Sequence, residues 1–252
     1  MTAHRLLFLY LWFAPHVLQV ALAVMMLRRK LAREFPAFFL YTVFEVLQFV
    51  LLVVLSKMDA VSASQYATAW VAGGTVSIAF RFAVVHEIFR HVFRTYPSLD
   101  EFGGLLFRWA TAVLMVMAVA LVAYTAGDNL DRVNVAIGVV DRAVSIVQCG
   151  LLVLLLLLSR FFGCSWRNYV FGIALGLGFF ASVQLGTSAI QAQIGVAAAV
   201  DLFNYISMGV YHGCVLFWIV TLWWPAQVET RVSEVPTHNL DHWNAALQRL
   251  LH

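Results

Sequence analysis

The residues of this sequence that could do chemistry are charged side chains that lie within long apolar stretches. Asp141 and Arg142 fall in one such stretch and Asp201 in another. Two acids and one base are therefore predicted to lie in the outer third of the membrane-spanning stretches. This set carries an excess negative charge, which a shared proton or a cationic ligand would balance. Ionisable groups in such surroundings are costly and mark binding sites, proton paths or ion pairs. We therefore predict a ligand site around these three residues.

Further polar residues follow the same helical faces and enlarge the predicted ligand site. Gln148 is in helical register with Asp141, and His212 is in register with Asp201. The predicted ligand-binding residues, all in the outer half of the bundle, are Asp141, Arg142, Asp201, Asn204, Gln148 and His212.

A second set of charges, Glu45 and Arg81, lies in two other apolar stretches at matching depth. With a rise of about 1.5 Å per residue, both side chains would lie near the middle of the bilayer. Polar residues recur around them at helical spacing, with Tyr41 before Glu45 and Ser77 before Arg81. We predict an intramembrane ion pair between Glu45 and Arg81. For all of these charges, a structural ion pair and a ligand or proton site remain alternatives.

The sequence contains no pattern that is typical of an enzyme, a metal site or a bound cofactor. His86 and Glu87 are followed by His91, which comes one residue too late for the helical zinc motif of metalloproteases. No lysine lies in the last apolar stretch, which excludes a retinal Schiff base of the microbial-rhodopsin type. We predict no metal, no cofactor and no enzymatic activity. One alternative stays open, a haem held between His16 and His212.

The composition indicates which kind of element must position these residues. Hydrophobic residues make up 62% of the chain and charged residues 12%. A soluble domain has about 45–50% apolar and about 25% charged residues, and it could not bury so much apolar surface. The bilayer must therefore be the solvent for most of the chain.

Seven apolar stretches are long enough to cross a bilayer, which takes about 20 helical residues. We therefore predict an all-α, polytopic integral membrane bundle of seven transmembrane helices. The predicted spans are Leu6–Leu27, Pro36–Ser56, Tyr66–Phe89, Leu105–Thr125, Val135–Ser159, Tyr169–Ala189 and Ala198–Trp224.

The distribution of Lys and Arg predicts the orientation of this bundle. Of the 16 Lys and Arg residues, eleven fall in segments on one side, three fall on the other, and Arg81 and Arg142 lie within spans. Because basic residues accumulate in cytoplasmic segments, the N-terminus should lie outside and the C-terminus in the cytoplasm. The expected location is the plasma (inner) membrane.

The predicted domains are a transmembrane domain, residues 1–225, and a cytoplasmic tail, residues 226–252. Apolar residues of the tail share one helical face, which predicts a short amphipathic C-terminal helix; they are Leu240, Trp243, Ala246, Leu247, Leu250 and Leu251. Such a helix lies on the inner membrane surface or docks a partner protein.

These features favour a small-ligand-binding or sensing module that acts through a separate cytoplasmic or membrane protein. The alternatives are a secondary transporter or proton-coupled carrier, a structural subunit of a larger membrane complex, and an intramembrane enzyme. Transport would require polar residues that continue to the cytoplasmic end, whereas residues 151–158 are almost entirely aliphatic. The net charge of +3 is spread over several loops, so we expect contact with the lipid bilayer and no nucleic-acid partner.

Overall fold

The structure is a computed structural model that describes residues 3–58, 60–93, 169–194 and 200–224, together with 142–143, 145–146, 148–150 and 153. These residues are helical or lie in turns, and they include no strand. The helices are α1 (Ala3–Arg28), α2 (Leu31–Glu34), α3 (Pro36–Leu55), α4 (Ala63–Phe93), α5 (Tyr169–Ile194) and α6 (Val200–Trp223).

Five of these helices, all except α2, are long and apolar enough to cross a membrane. They coincide with the first, second, third, sixth and seventh predicted spans, and the largest difference is the end of α5 at Ile194 rather than Ala189. For the described residues, the prediction of an all-helical protein with helices long and apolar enough to cross a membrane is therefore confirmed. The predicted span Leu105–Thr125 and the tail helix lie outside the described residues, and Val135–Ser159 is described only at scattered positions.

The turn between α1 and α3, expected to be a loop, contains the short helix α2. Lys30 adopts a left-handed conformation with φ 61°, which ends α1 and redirects the chain. Leu31 then enters the core and is almost fully buried. Pro36 follows at the first turn of α3, where its missing N–H leaves no hydrogen bond unmade.

Two helix ends are capped by side chains at or near this turn, the start of α3 by Glu87 and the end of α6 by Arg29. Glu87 of α4 accepts hydrogen bonds from the backbone N–H groups of Ala37 at 2.9 Å and Phe38 at 3.0 Å. Arg29 donates to the carbonyl oxygens of Leu222 and Trp223 at the end of α6. Both contacts satisfy backbone groups that the helix itself leaves unpaired, and both place opposite charge at the helix dipole.

A tightly packed apolar core fills this end of the bundle. Trp218 of α6 is almost fully buried in this core. Its ring packs edge-on against that of Phe38, with centroids 5.1 Å apart, and its N–H donates to the carbonyl of Ile173 at 3.4 Å. A Cβ at Gly176 would overlap the Trp218 indole, so this glycine allows α5 and α6 to approach closely. The core thus holds together the end of α1, the start of α3, the ends of α4 and α6, and the start of α5.

Candidate functional site

A cavity of about 340 Å³ lies next to the apolar core, between all five long helices. The polar lining residues on α1, α3 and α4 are His16, Tyr41, Glu45, Ser77 and Arg81. Its polar residues on α5 and α6 are Gln184, Ser207 and Tyr211. This volume falls within the range of about 300–1,000 Å³ that is common for small-molecule sites.

The described lining of the cavity has one acid and one base. Glu45 and Arg81 are the only Asp, Glu, Lys or Arg among these described residues, which together carry no formal net charge. Ser77, one turn before Arg81, donates a hydrogen bond to the carboxylate of Glu45. The structure thus brings Glu45 and Arg81 to one cavity, as their matching depth suggested. Their direct pairing stays a prediction.

Hydroxyl and amide groups complete the polar part of the wall. The hydroxyl of Tyr211 accepts a hydrogen bond from the side-chain amide of Gln19, which is buried in α1. One helical turn before Tyr211 on α6, Ser207 donates to the side-chain carbonyl of Gln184 at 3.2 Å. Donors and acceptors therefore come from α1, α5 and α6 as well as from the Glu45 side.

His16 is fixed in the wall by two contacts. Its ring stacks on Phe49 with centroids 3.9 Å apart and planes 14° apart. Its Nδ1 lies 2.9 Å from the backbone carbonyl of Trp12, which can only accept, so Nδ1 carries the hydrogen. In the neutral ring, Nε2 is then an acceptor. His212 was the second histidine proposed to hold a haem. Its Nε2 lies 3.3 Å from the hydroxyl oxygen of Tyr10.

The structure describes only part of the predicted outer ligand site. Arg142 and Asn204 are exposed, and neither they nor Gln148 and His212 line the cavity. Gln148 is buried, and its amide nitrogen and oxygen have no hydrogen-bond partner among the described residues. Asp141 and the side chain of Asp201 lie outside the described residues. The described residues therefore do not assemble this set around one cavity.

Sequence reasoning missed two polar residues of the cavity wall, Ser207 and Tyr211. It favoured the α6 face that carries Asp201 and His212, and Tyr211 lies one position before His212. Ser207 and Tyr211 are themselves spaced one helical turn apart, so a search for every polar pair at this spacing would have found them. The lone hydroxyls were weaker signals than the charged Asp201.

We find no group of candidate metal ligands in the described part of the chain. Within those residues, no cluster of three or more His, Cys, Asp and Glu side chains could hold a metal ion.

Comparisons with protein-family models, curated proteins and solved structures found no match to this chain. The function must therefore be inferred from the cavity itself.

Proposed function

We propose that the protein is a membrane-embedded sensing module that binds a small polar ligand in the cavity around Glu45 and Arg81. The observation that supports this proposal is an acid and a base that line one cavity among five potential membrane-spanning helices. The ligand signal would pass to a separate partner protein, with the predicted tail helix, residues 226–252, as the docking element.

The energetics of the pair favour a binding role over a purely structural one. Charged side chains are expensive in the middle of a bilayer, and neutral hydrogen bonds would hold helices together more cheaply. Gln184 and Ser207 show that this bundle also uses such neutral contacts. The charges of Glu45 and Arg81 are therefore best explained by a ligand that interacts with them.

The lining also indicates the chemistry of the ligand. Glu45 and Arg81 both line the cavity, so its described wall offers one negative and one positive charge. A ligand whose own charges sum to zero, such as a zwitterion, fits this wall best. The rings of Trp12 and Phe180 supply apolar contact area, while Tyr41 and Tyr211 add hydroxyl groups. Such a mixture of apolar walls and a few polar groups is usual for small-molecule sites.

The apolar core next to the cavity favours sensing over transport. Leu177, Val215 and Trp218 are almost fully buried there, so no polar path continues through the described core. Transport would require this core to open, because a substrate must reach both sides of the membrane. In the described arrangement, a ligand would enter from the end of the bundle opposite the core.

The packing of the described helices also supports seven spans. Glu87, near the end of α4, caps the start of α3, and Phe38 there contacts Trp218, which in turn bonds Ile173 near the start of α5. If α4 and α5 both span the membrane, the chain between them must cross it an even number of times. Two crossings, at the predicted spans Leu105–Thr125 and Val135–Ser159, give seven in total. The end of the bundle that holds the apolar core, called the core end here, then carries Arg28, Arg29, Lys30 and Arg33. These basic residues favour a cytoplasmic location for the core end.

The outer set around Asp141, Arg142 and Asp201 remains a second proposed site. The buried amide of Gln148 favours it, because a buried polar group normally finds a partner. If this site carries the function, Asp201→Asn should abolish the ligand response or transport while the protein stays folded and inserted.

A thermal-shift experiment on the purified protein tests the central proposal. A set of small zwitterions and other polar metabolites is screened for compounds that raise the melting temperature. Ser207→Phe should fill the cavity and abolish the stabilisation by any hit, and Glu45→Gln should weaken it without changing the shape of the wall. Val220→Phe adds bulk to an exposed position of the same helix and should leave the response unchanged. Equal responses in all four proteins would contradict the proposal.

A further inference from the structure

A second cavity, of about 610 Å³, forms a groove between the end of α1 and the end of α6. Its described lining consists of Ala21, Val24, Met25, Arg28, Arg29 and Trp223. The groove lies at the end of the bundle that holds the apolar core, between two helices that are long and apolar enough to cross a membrane.

The mouth of the groove is positively charged. Arg28 is exposed, and Arg29 uses one guanidinium nitrogen to cap the carbonyls of Leu222 and Trp223. A guanidinium group has five N–H donors, so Arg29 retains donors beyond this cap. Among the described lining residues there is no Asp or Glu to neutralise these two charges. The groove thus favours an anion at its mouth.

Below the charges, the walls are apolar and accessible. Val24 lies one helical turn before Arg28, about 6 Å deeper along α1 at about 1.5 Å per residue. It is 43% exposed, and Trp223 on the facing wall is 69% exposed. In a membrane, these surfaces face acyl chains, and a tryptophan at a span end is typical of the interface. The groove therefore presents an anion-binding mouth above an apolar wall.

We propose that this groove binds an anionic phospholipid. The phosphate diester lies against Arg28 and Arg29, since guanidinium groups bind phosphate oxygens through paired hydrogen bonds. One acyl chain follows the wall formed by Val24 and Trp223. An anionic lipid is preferred to phosphatidylcholine because the choline cation would be repelled by the two arginines.

Lipid titration of the purified full-length protein in detergent tests this inference. Dioleoylphosphatidylglycerol and dioleoylphosphatidylcholine are added separately, and bound lipid is counted by native mass spectrometry. The wild type should retain phosphatidylglycerol in preference to phosphatidylcholine. Arg28→Gln should weaken that binding about fivefold, which corresponds to about 1 kcal/mol for one basic residue near the membrane surface. Arg28 is the residue to change because Arg29 also caps α6.

Two further variants separate this groove from general attraction to the basic turn. Arg33→Gln removes the same charge from an exposed position outside the groove and should leave binding unchanged. Val24→Trp should fill the groove and reduce phosphatidylglycerol binding while keeping both arginines. Equal losses in Arg28→Gln and Arg33→Gln would overturn the proposal. So would unchanged binding in Val24→Trp, displacement of the lipid by inorganic phosphate alone, or equal binding of the two lipids.

Discussion

The hydroxyl of Ser77 on α4 donates a hydrogen bond to the carboxylate of Glu45 on α3. Arg81 lies one turn further along α4 and lines the same cavity. One face of α4 thus carries the Ser77 hydroxyl, a neutral donor, and the basic Arg81, and both line the same cavity as Glu45 of α3. This arrangement joins α3 to α4 at the cavity, and it yields specific expectations for each of the three side chains.

Loss of the Ser77 hydroxyl should destabilise the protein. A hydrogen bond to a charged group contributes about 1.5–3 kcal/mol, so Ser77→Ala should lower the free energy of unfolding by about 2 kcal/mol. Thr75→Ala is the matched control, because the Thr75 hydroxyl is exposed and bonds only the backbone carbonyl of Val71 within the described residues. Equal unfolding free energies for the two variants, measured by titration with a denaturing detergent, would show that the Ser77 contact contributes nothing.

The predicted pairing of Glu45 with Arg81 is tested by a double-mutant cycle. Removing one partner of a buried ion pair costs about 3–5 kcal/mol, whereas replacing both with uncharged groups can be nearly neutral. Glu45→Gln and Arg81→Met should each lower the melting temperature in detergent, and the double variant should recover part of the loss. Strictly additive losses would indicate that the two side chains do not interact.

The capping role of Glu87 leads to a further stability prediction. Glu87→Ala leaves the N–H groups of Ala37 and Phe38 without their acceptor, which should cost about 2 kcal/mol. Glu87→Gln keeps one acceptor oxygen and should recover part of this loss. Glu34→Ala removes an exposed acid from the same end of the bundle and should change stability by less than about 0.5 kcal/mol. A Glu87→Ala protein as stable as Glu34→Ala would rule out the cap.

Much of the fold could be predicted because long apolar helices leave a strong sequence signal. The start of α3 and the end of α6 were within one residue of the prediction, since Pro36 and Pro225 mark them directly. The short helix α2 was missed because it depends on a left-handed residue, Lys30, and on burial of Leu31. Neither feature can be seen in a periodic pattern.

The site was harder to predict than the fold because helical faces do not show which helices meet. Glu45 and Arg81 were grouped by matching depth and by polar residues at helical spacing. Both line one cavity, since they lie on consecutive long helices that pack side by side, and their pairing stays a prediction. The functional role of Glu87 was not foreseen, because its partners are backbone N–H groups that any sequence would supply. The same holds for Arg29 at the end of α6.

The predicted orientation can be tested by labelling in intact cells. A cysteine introduced by Asp131→Cys should react with a membrane-impermeant thiol reagent added outside, and one introduced by Arg167→Cys should not. The native residues Cys149, Cys164 and Cys214 are first replaced so that they do not contribute. The reverse pattern would place the N-terminus in the cytoplasm.

Sided thiol labelling of the cavity tests most directly the claim that it is a polar site closed at the core end. In the same cysteine-free background, Ser207→Cys places a thiol in the cavity wall and Leu177→Cys places one in the core. A charged methanethiosulfonate reagent is applied separately to each face of the membrane. We predict that Ser207→Cys reacts only from the side opposite the core and that Leu177→Cys reacts from neither side. Equal labelling of Ser207→Cys from both faces, or none from either, would contradict the account.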